Sequence, residues 1–403
     1  MVLFPSCALY HCSELHVLRS VLAVAVDFQA PGQSAASNLY AGFTTVVNSN
    51  IKTATLAHPE PTRGFYRVAI VGAASLKGKE VAEVLDERNF PSSEVKLLDD
   101  DQALGQLEAV KDEVTFIQKL RAEQFERVDF AFFASDAEST RRNWQHVLKR
   151  GGAIVDLSYA LEDEAGATLR APWVERQVGQ VFTPQLQPGP AVVANPISIV
   201  LAVLLARVQS VHPLKRAVVT VFEPASEHGQ SGMDELHQQT VNLLSFQPLP
   251  KKVYDAQVAF NMLARYGQDS AASLASVHDR ILKHYTRIVS GRAPVPALLM
   301  VQAPVFHSHA FAINLQFEKA VETAQISTAL TGEHVLLIGP DDDAPNNVNA
   351  AGQNDILVSV VPDASDPAGV WLWAASDNLR VAASAAVECA EEMAATRPRG
   401  QIQ

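Results

Sequence analysis

Apolar positions along the middle of the chain fall into short runs that alternate with stretches of helical spacing. RVAIVGA, from Arg67, is a compact run rich in β-branched residues, and SLKGKEVAEVLDERN behind it sets Val81, Val84 and Leu85 on one helical face. The pair predicts a strand, a glycine turn and a helix. VKLLDD predicts a second strand, VDFAFFAS a third or fourth, and GGAIVDLS the next, with HVLKRG closing a helix between the last two. Strands alternating with helices imply a parallel sheet. The second half reads differently: RAVVTVFEPASEHGQSGMDELHQQTVNLL is strand, loop and helix, and LLMVQAPVFHSHAFAINLQFE is two strands or one interrupted strand. DILVSVVPD and GVWLWAASDNLR form a hairpin of alternating strands, and LRVAASAAVECAEEM is an alanine-rich helix. The predicted class is α/β, a Rossmann-like parallel-sheet domain followed by an α+β domain.

Residues 1–64 do not share this order. LHVLRSVLAVAVDF is apolar but shorter than the ~20 residues that span a bilayer, and no Lys or Arg precedes it as in an export signal. The segment reads as a poorly ordered extension or an overcalled start, joined through the proline-rich HPEPTRG. Composition adds bounds. At 403 residues, 48% hydrophobic and 19% charged, the chain has room for two domains with ample cores. A formal net charge of -12, with no basic run, argues against a nucleic-acid backbone as partner. Cys7, Cys12 and Cys389 form neither a metal spacing nor a disulfide framework, so the expected compartment is reducing, the cytoplasm.

The first turn carries the first candidate chemistry. Gly72 and Gly78 are what remains of a G-x-x-G-x-x-G spacing, and Ser75 stands at the middle position. Glycines there let a pyrophosphate approach the backbone at a helix N-terminus, or they merely close a tight turn and pack helix on strand. Both readings stay open. Lys77 is either a phosphate cation or a solvated first-turn lysine.

VAIVGAASLKGKEVAEVLDERNFPSSEVKLLDD, VVANPISIVLA, SGMDELHQQT, APVFHSHAFAINLQFE and VWLWAASDNLRVAASAAVECAE, in that order, resemble the aspartate-semialdehyde dehydrogenase family over nearly all of Phe65 to Met393. The resemblance implies a dinucleotide-binding domain over 65–197, a dimerisation domain over 198–354, and a hairpin and helix over 355–403 returning to the first domain. It further implies a homodimer that interconverts aspartyl phosphate and the semialdehyde with NADP(H) through a cysteine thioester. The family's A-N-P-N-C-S block overlays Ala194, Asn195, Pro196, Ile197, Ser198 and Ile199, so a serine replaces the nucleophilic thiol. The acid/base histidine is kept as His309, whereas the substrate arginine seven residues earlier is Gln302. The family's glutamine falls on Glu223, and its following S-G-A-G becomes Ser226, Glu227, His228 and Gly229. A carboxylate there would repel an anionic substrate. The S-A-F-R pattern overlays Ser158 to Leu161, losing a phosphate cation. Cofactor contacts carry over to Gly72, Ser75, Lys77, Gly78, Asn195 and Asn378, with weak binding of NADP or none expected because Ser75 enters the pyrophosphate space.

These departures predict a paralogue that kept the fold and lost the family's dehydrogenase chemistry. The expected role is a non-catalytic or regulatory dimer, either with itself or with an authentic dehydrogenase. The alternative is a hydrolase or acyltransferase using Ser198, His309 and Glu223 as nucleophile, base and carboxylate. His307 and His309 alternate on a strand and with Glu223 invite a metal, but they lack a fourth ligand, and no metal is expected. Asp341 to Asn347, DDDAPNN, lacks the glycine and glutamate of a calcium loop. Trp371 and Trp373 are expected to pack in core and interface.

Overall fold

The computed structural model describes residues 66–396 apart from 101–104, 106, 111–112, 181 and 184–188. The 1–64 extension, with Cys7 and Cys12, lies outside the described residues. The first half supplies β1 (Tyr66–Val71), β2 (Ser92–Asp99), β3 (Leu107–Val110), β4 (Glu113–Phe116), β5 (Gln118–Lys119), β6 (Phe130–Phe133), β7 (Ala153–Asp156), β8 (Thr168–Arg170) and β9 (Ala191–Val193). β3 and β4 pair with each other; the rest form one sheet in the order β5-β2-β1-β6-β7-β9-β8, parallel throughout. Val68 to Val71 and Phe130 to Phe133 are wholly buried. That is why these strands read as continuous apolar runs: helices cover both faces of a parallel sheet.

The second sheet takes β10 (Leu214–Glu223), β11 (Ala297–Gln302), β12 (His309–Phe317), β13 (Val335–Leu337), β14 (Ile356–Pro362) and β15 (Gly369–Ser376), in the order β11-β10-β12-β15-β14-β13. It mixes parallel and antiparallel pairs, and its faces differ. Alternate residues such as Val219, Ile313, Leu372 and Val358 are buried. The opposite face carries a row of Val218, Asn314, Trp371 and Val361 in register across four strands. Trp371 is 41% exposed and Leu299, on neighbouring β11, is 54% exposed. Apolar patches this open are the kind of surface that marks interaction sites.

Helices are α1 (Leu76–Glu87), α2 (Ala137–Leu148), α3 (Pro172–Gln177), α4 (Pro196–Val211), α5 (Gly229–Leu244), α6 (Leu274–Val289), α7 (Thr323–Leu330), α8 (Asn347–Ala350) and α9 (Asn378–Thr396). α4, PISIVLAVLLARVQSV, is apolar all round because α3, α6, α7 and α9 pack about it. Each Leu or Val it buries contributes about 1.5–3 kcal/mol. The hairpin β14–β15 stays within the second sheet, and only α9 crosses back to pack on α1. Small side chains such as Ala383, Ala386 and Ala390 are wholly buried along it. Charged ties hold it: Arg380 Nη1 donates to Glu80 Oε1 at 2.9 Å, Arg176 Nη2 to Glu388 Oε2 at 2.6 Å, and Trp173 Nε1 to Glu388 Oε1 at 3.1 Å. Cys389 is buried on this helix, and burial pushes its thiol pKa up, leaving it inert.

Candidate functional site

The turn after β1 is closed by geometry. Gly72 has φ +83°, and a Cβ there would stand 2.5 Å from Ser135 N; one on Gly78 would stand 2.1 Å from Gly72 O. Both glycines are therefore required for packing alone, and the turn's shape is no proof of a ligand. Ser75 caps α1: its Oγ accepts from Gly78 N at 3.0 Å and donates to Ala134 O at 3.0 Å. The hydroxyl is thus committed to the protein on both sides, a role not read from the sequence. Asp99, ending β2, is similarly drawn in, accepting from Ala74 N at 2.8 Å. Lys77 is neither fully solvated nor aimed outward. It is half-buried, with Nζ 5.3 Å from the centroid of the Tyr159 ring.

The ends of β10, β11 and β12 hold the next group. Glu223 and Gln302 are register partners and both are buried. Tyr266 donates its hydroxyl to Gln302 Oε1 at 2.8 Å, and lies 3.3 Å from Glu223 Oε1, which also faces His228 Nε2 at 3.3 Å. Gln302 Nε2 donates to the carbonyls of Glu223 and Ala303, both at 2.9 Å. A tyrosine and a histidine hold one Glu223 oxygen inside the domain, while the other, Oε2, is buried without a hydrogen-bond partner. The carboxylate nearest His309 is Glu227, at 3.6 Å from Nε2. Asn378 Nδ2 donates to Glu227 Oε1 at 2.9 Å, while its Oδ1 accepts from Ser226 Oγ at 3.1 Å and Ser308 N at 3.2 Å. This predicted cofactor residue works as a cross-tie at the start of α9.

His309 is wholly buried and neither ring nitrogen has a hydrogen-bond partner. Burial lowers its pKa, outweighing the pull of Glu227, Glu223 and Asp377, so the ring is neutral at neutral pH. Ser308 before it has φ +69°, a left-handed backbone. That kink ends the extended run, so His307 lies outside β12 and does not alternate with His309 on one strand face, contrary to expectation. Among the described residues no group of three or more His, Cys, Asp or Glu side chains is placed to hold a metal ion.

Ser198 lies in the first turn of α4, wholly buried, and donates its hydroxyl to Ile281 O at 2.9 Å. Asn195 caps that helix, accepting from Ile197 N at 2.9 Å, and its own N–H donates to His284 Nδ1 at 3.0 Å. With Nδ1 an acceptor, the ring proton sits on Nε2 and points at Glu162 Oε2, 2.8 Å away. Ser198, His309 and Glu223 are not joined by hydrogen bonds: Ser198 is bonded to Ile281 O, both His309 ring nitrogens lack partners, and Glu223 Oε1 meets Tyr266 and His228. Leu161, at the arginine position, is fully buried. Cations nevertheless remain nearby, since Arg280 sits 5.0 Å from the Tyr159 centroid and 3.8 Å from Glu162. Tyr159, Tyr266, Arg280 and His284 were missed. Tyr266, Arg280 and His284 come from stretches without a recognisable block, and Tyr159 lies in SYAL, where the only sequence signal is the replaced arginine at Leu161.

Two family models match parts of the chain: the semialdehyde dehydrogenase NAD-binding domain matches residues 67–180, and the semialdehyde dehydrogenase dimerisation domain matches residues 205–381. A USG-1 protein homolog of Pseudomonas aeruginosa is 30% identical, over 79% of this chain and 94% of its own length. The aspartate-semialdehyde dehydrogenase of Prochlorococcus marinus is 28% identical, over 84% and 98%. A solved structure of a probable aspartate-semialdehyde dehydrogenase from Pseudomonas aeruginosa superposes with a TM-score of 0.72 at 28% identity, covering 83% of this chain and 99% of that one.

Proposed function

Since the chain belongs to the aspartate-semialdehyde dehydrogenase family, we propose that it is a dimeric member without phosphate-dependent dehydrogenase activity. The observation that carries this is Ser198. At the position the family pattern gives to the nucleophilic thiol, a buried hydroxyl donates its proton to a backbone carbonyl, Ile281 O, and not to a basic side chain. The surroundings support the same reading. Gln302 has its amide committed to Tyr266, Glu223 and Ala303, leaving no cation for a substrate carboxylate. Leu161 offers none for a phosphate.

Cofactor use is relaxed in this reading: NADP binds weakly or not at all, at a turn whose Ser75 hydroxyl is already taken by Gly78 N and Ala134 O and whose Asp99 carboxylate accepts from Ala74 N. The open face of the second sheet, with Trp371 and Leu299, is the dimer surface, and an authentic dehydrogenase subunit is a second candidate partner for the same face. No helix among the described residues is long and apolar enough to cross a membrane. The test is direct: pure protein given aspartate semialdehyde, phosphate and NADP should produce no NADPH above background. Reduction at rates of ordinary family enzymes would sink the proposal.

A further inference from the structure

The carboxyl ends of β1, β6 and β7 stand side by side in the first sheet. In a sheet wound this way a dinucleotide lies across such ends, where the strand order reverses. The reversal falls at β1, which has β2 on one side and β6 on the other. Lys77 leaves the turn after β1 and Tyr159 leaves the loop after β7, so a line between them passes over the end of β6. Strands spaced ~4.8 Å apart put β1 and β7 ~10 Å from each other, within reach of a lysine stem meeting a phenol ring. The two side chains do meet, with Nζ 5.3 Å from the ring centroid.

Tyr159 has little freedom to withdraw. Its φ is +62°, unusual for a residue with a side chain, and the guanidinium of Arg280 and the ring of His284 lie 5.0 and 5.6 Å from the ring centroid. Lys77 also stands close enough for its charge to act on Asp156, Glu227 and His309. Lys77 and Glu227 both depart from the family pattern, which has an apolar residue and a glycine there, and their charges are opposite. Paired departures of this kind are what a crevice filled from within would need.

We propose that Lys77 and Tyr159 form a bar across this crevice that shuts out the nicotinamide half of NADP. The inference rests on the reading that cofactor use is relaxed, and it assigns that relaxation to a specific obstruction rather than to Ser75. Calorimetry on the full chain tests it with two probes: NADP, and adenosine 2′,5′-bisphosphate, which ends short of the bar. Lys77→Ala should raise NADP affinity by at least about tenfold, and change affinity for the bisphosphate less than about twofold. Lys77→Met keeps the stem in the crevice, so it should recover less than Lys77→Ala. Weaker or unchanged NADP binding in Lys77→Ala overturns the bar, because Lys77 would then be a phosphate contact or a bystander. An equal gain for the bisphosphate, or for Lys77→Met, overturns it as well. Micromolar NADP binding by the unaltered protein would instead overturn the relaxed-cofactor reading, with the bar still decided by the direction of the Lys77→Ala change.

Discussion

Ser198→Cys would restore a sulfur and nothing else. The new thiol would sit in a fully buried site facing Ile281 O, with Leu161 and Gln302 still in place of the pattern's arginines. Burial raises a thiol's pKa and starves it of thiolate, so the phosphate-dependent assay should stay at background in this variant. Ser308→Gly is expected to act on stability instead. It removes a side chain from a backbone at φ +69° and deletes a buried hydroxyl without a partner, together about 1–3 kcal/mol of relief. Thermal unfolding should show a higher Tm, and an unchanged or lower one would refute the strain. His309 and Ser198 were legible because each sits in a short block whose neighbours fix its alignment. What surrounds them was not. Tyr266 meets Gln302 across 36 residues and His284 meets Asn195 across 89, and such pairs exist only once helices and strands have been placed in space.

Among the elements, α9 and α1 carry the clearest pH effect. Glu80 on α1 pairs with Arg380, but burial outweighs that pairing, and with Asp377 and Glu83 nearby its pKa is raised from 4.5 to about 7. A raised acid favours folding while protonated. Its contribution is complete below about pH 4.5 and is lost as pH rises through about 7. Glu80→Gln should therefore flatten the decline in Tm between pH 5 and 8 and leave the variant more stable at pH 8 by about 1–3 kcal/mol. A Tm profile parallel to that of the unaltered protein would contradict this. The strong periodic stretches announced their elements: β1, β6 and β7 as apolar runs, β14 and β15 as alternating strands, α9 as an alanine-rich helix. β3 to β5 and β8 were not announced, because LEAV, EVTF, QK and TLR are short and broken by polar residues, unlike the equally short apolar runs of β6 and β7. Ser308 explains the ambiguity over β12, since nothing in VFHSHAF marks which residue breaks the strand.

For the molecule as a whole, association should hinge on the open sheet face. Trp371→Glu or Leu299→Glu places a charge in its middle, and light scattering at micromolar concentration should then report a monomer where the unaltered chain gives a dimer. A dimer that survives both changes would move the interface elsewhere. The crossing of α9 back to α1 has a consequence at an earlier stage of the protein's life. Arg380 and Glu80 are separated by 300 residues, so the surface of α1 that α9 covers is finished long before its cover exists. At roughly 5–20 residues per second a ribosome needs ~15–60 s to make up that difference. Throughout that interval the nascent first sheet carries an uncovered flank, which makes it a natural client for chaperones that shield apolar surface on growing chains.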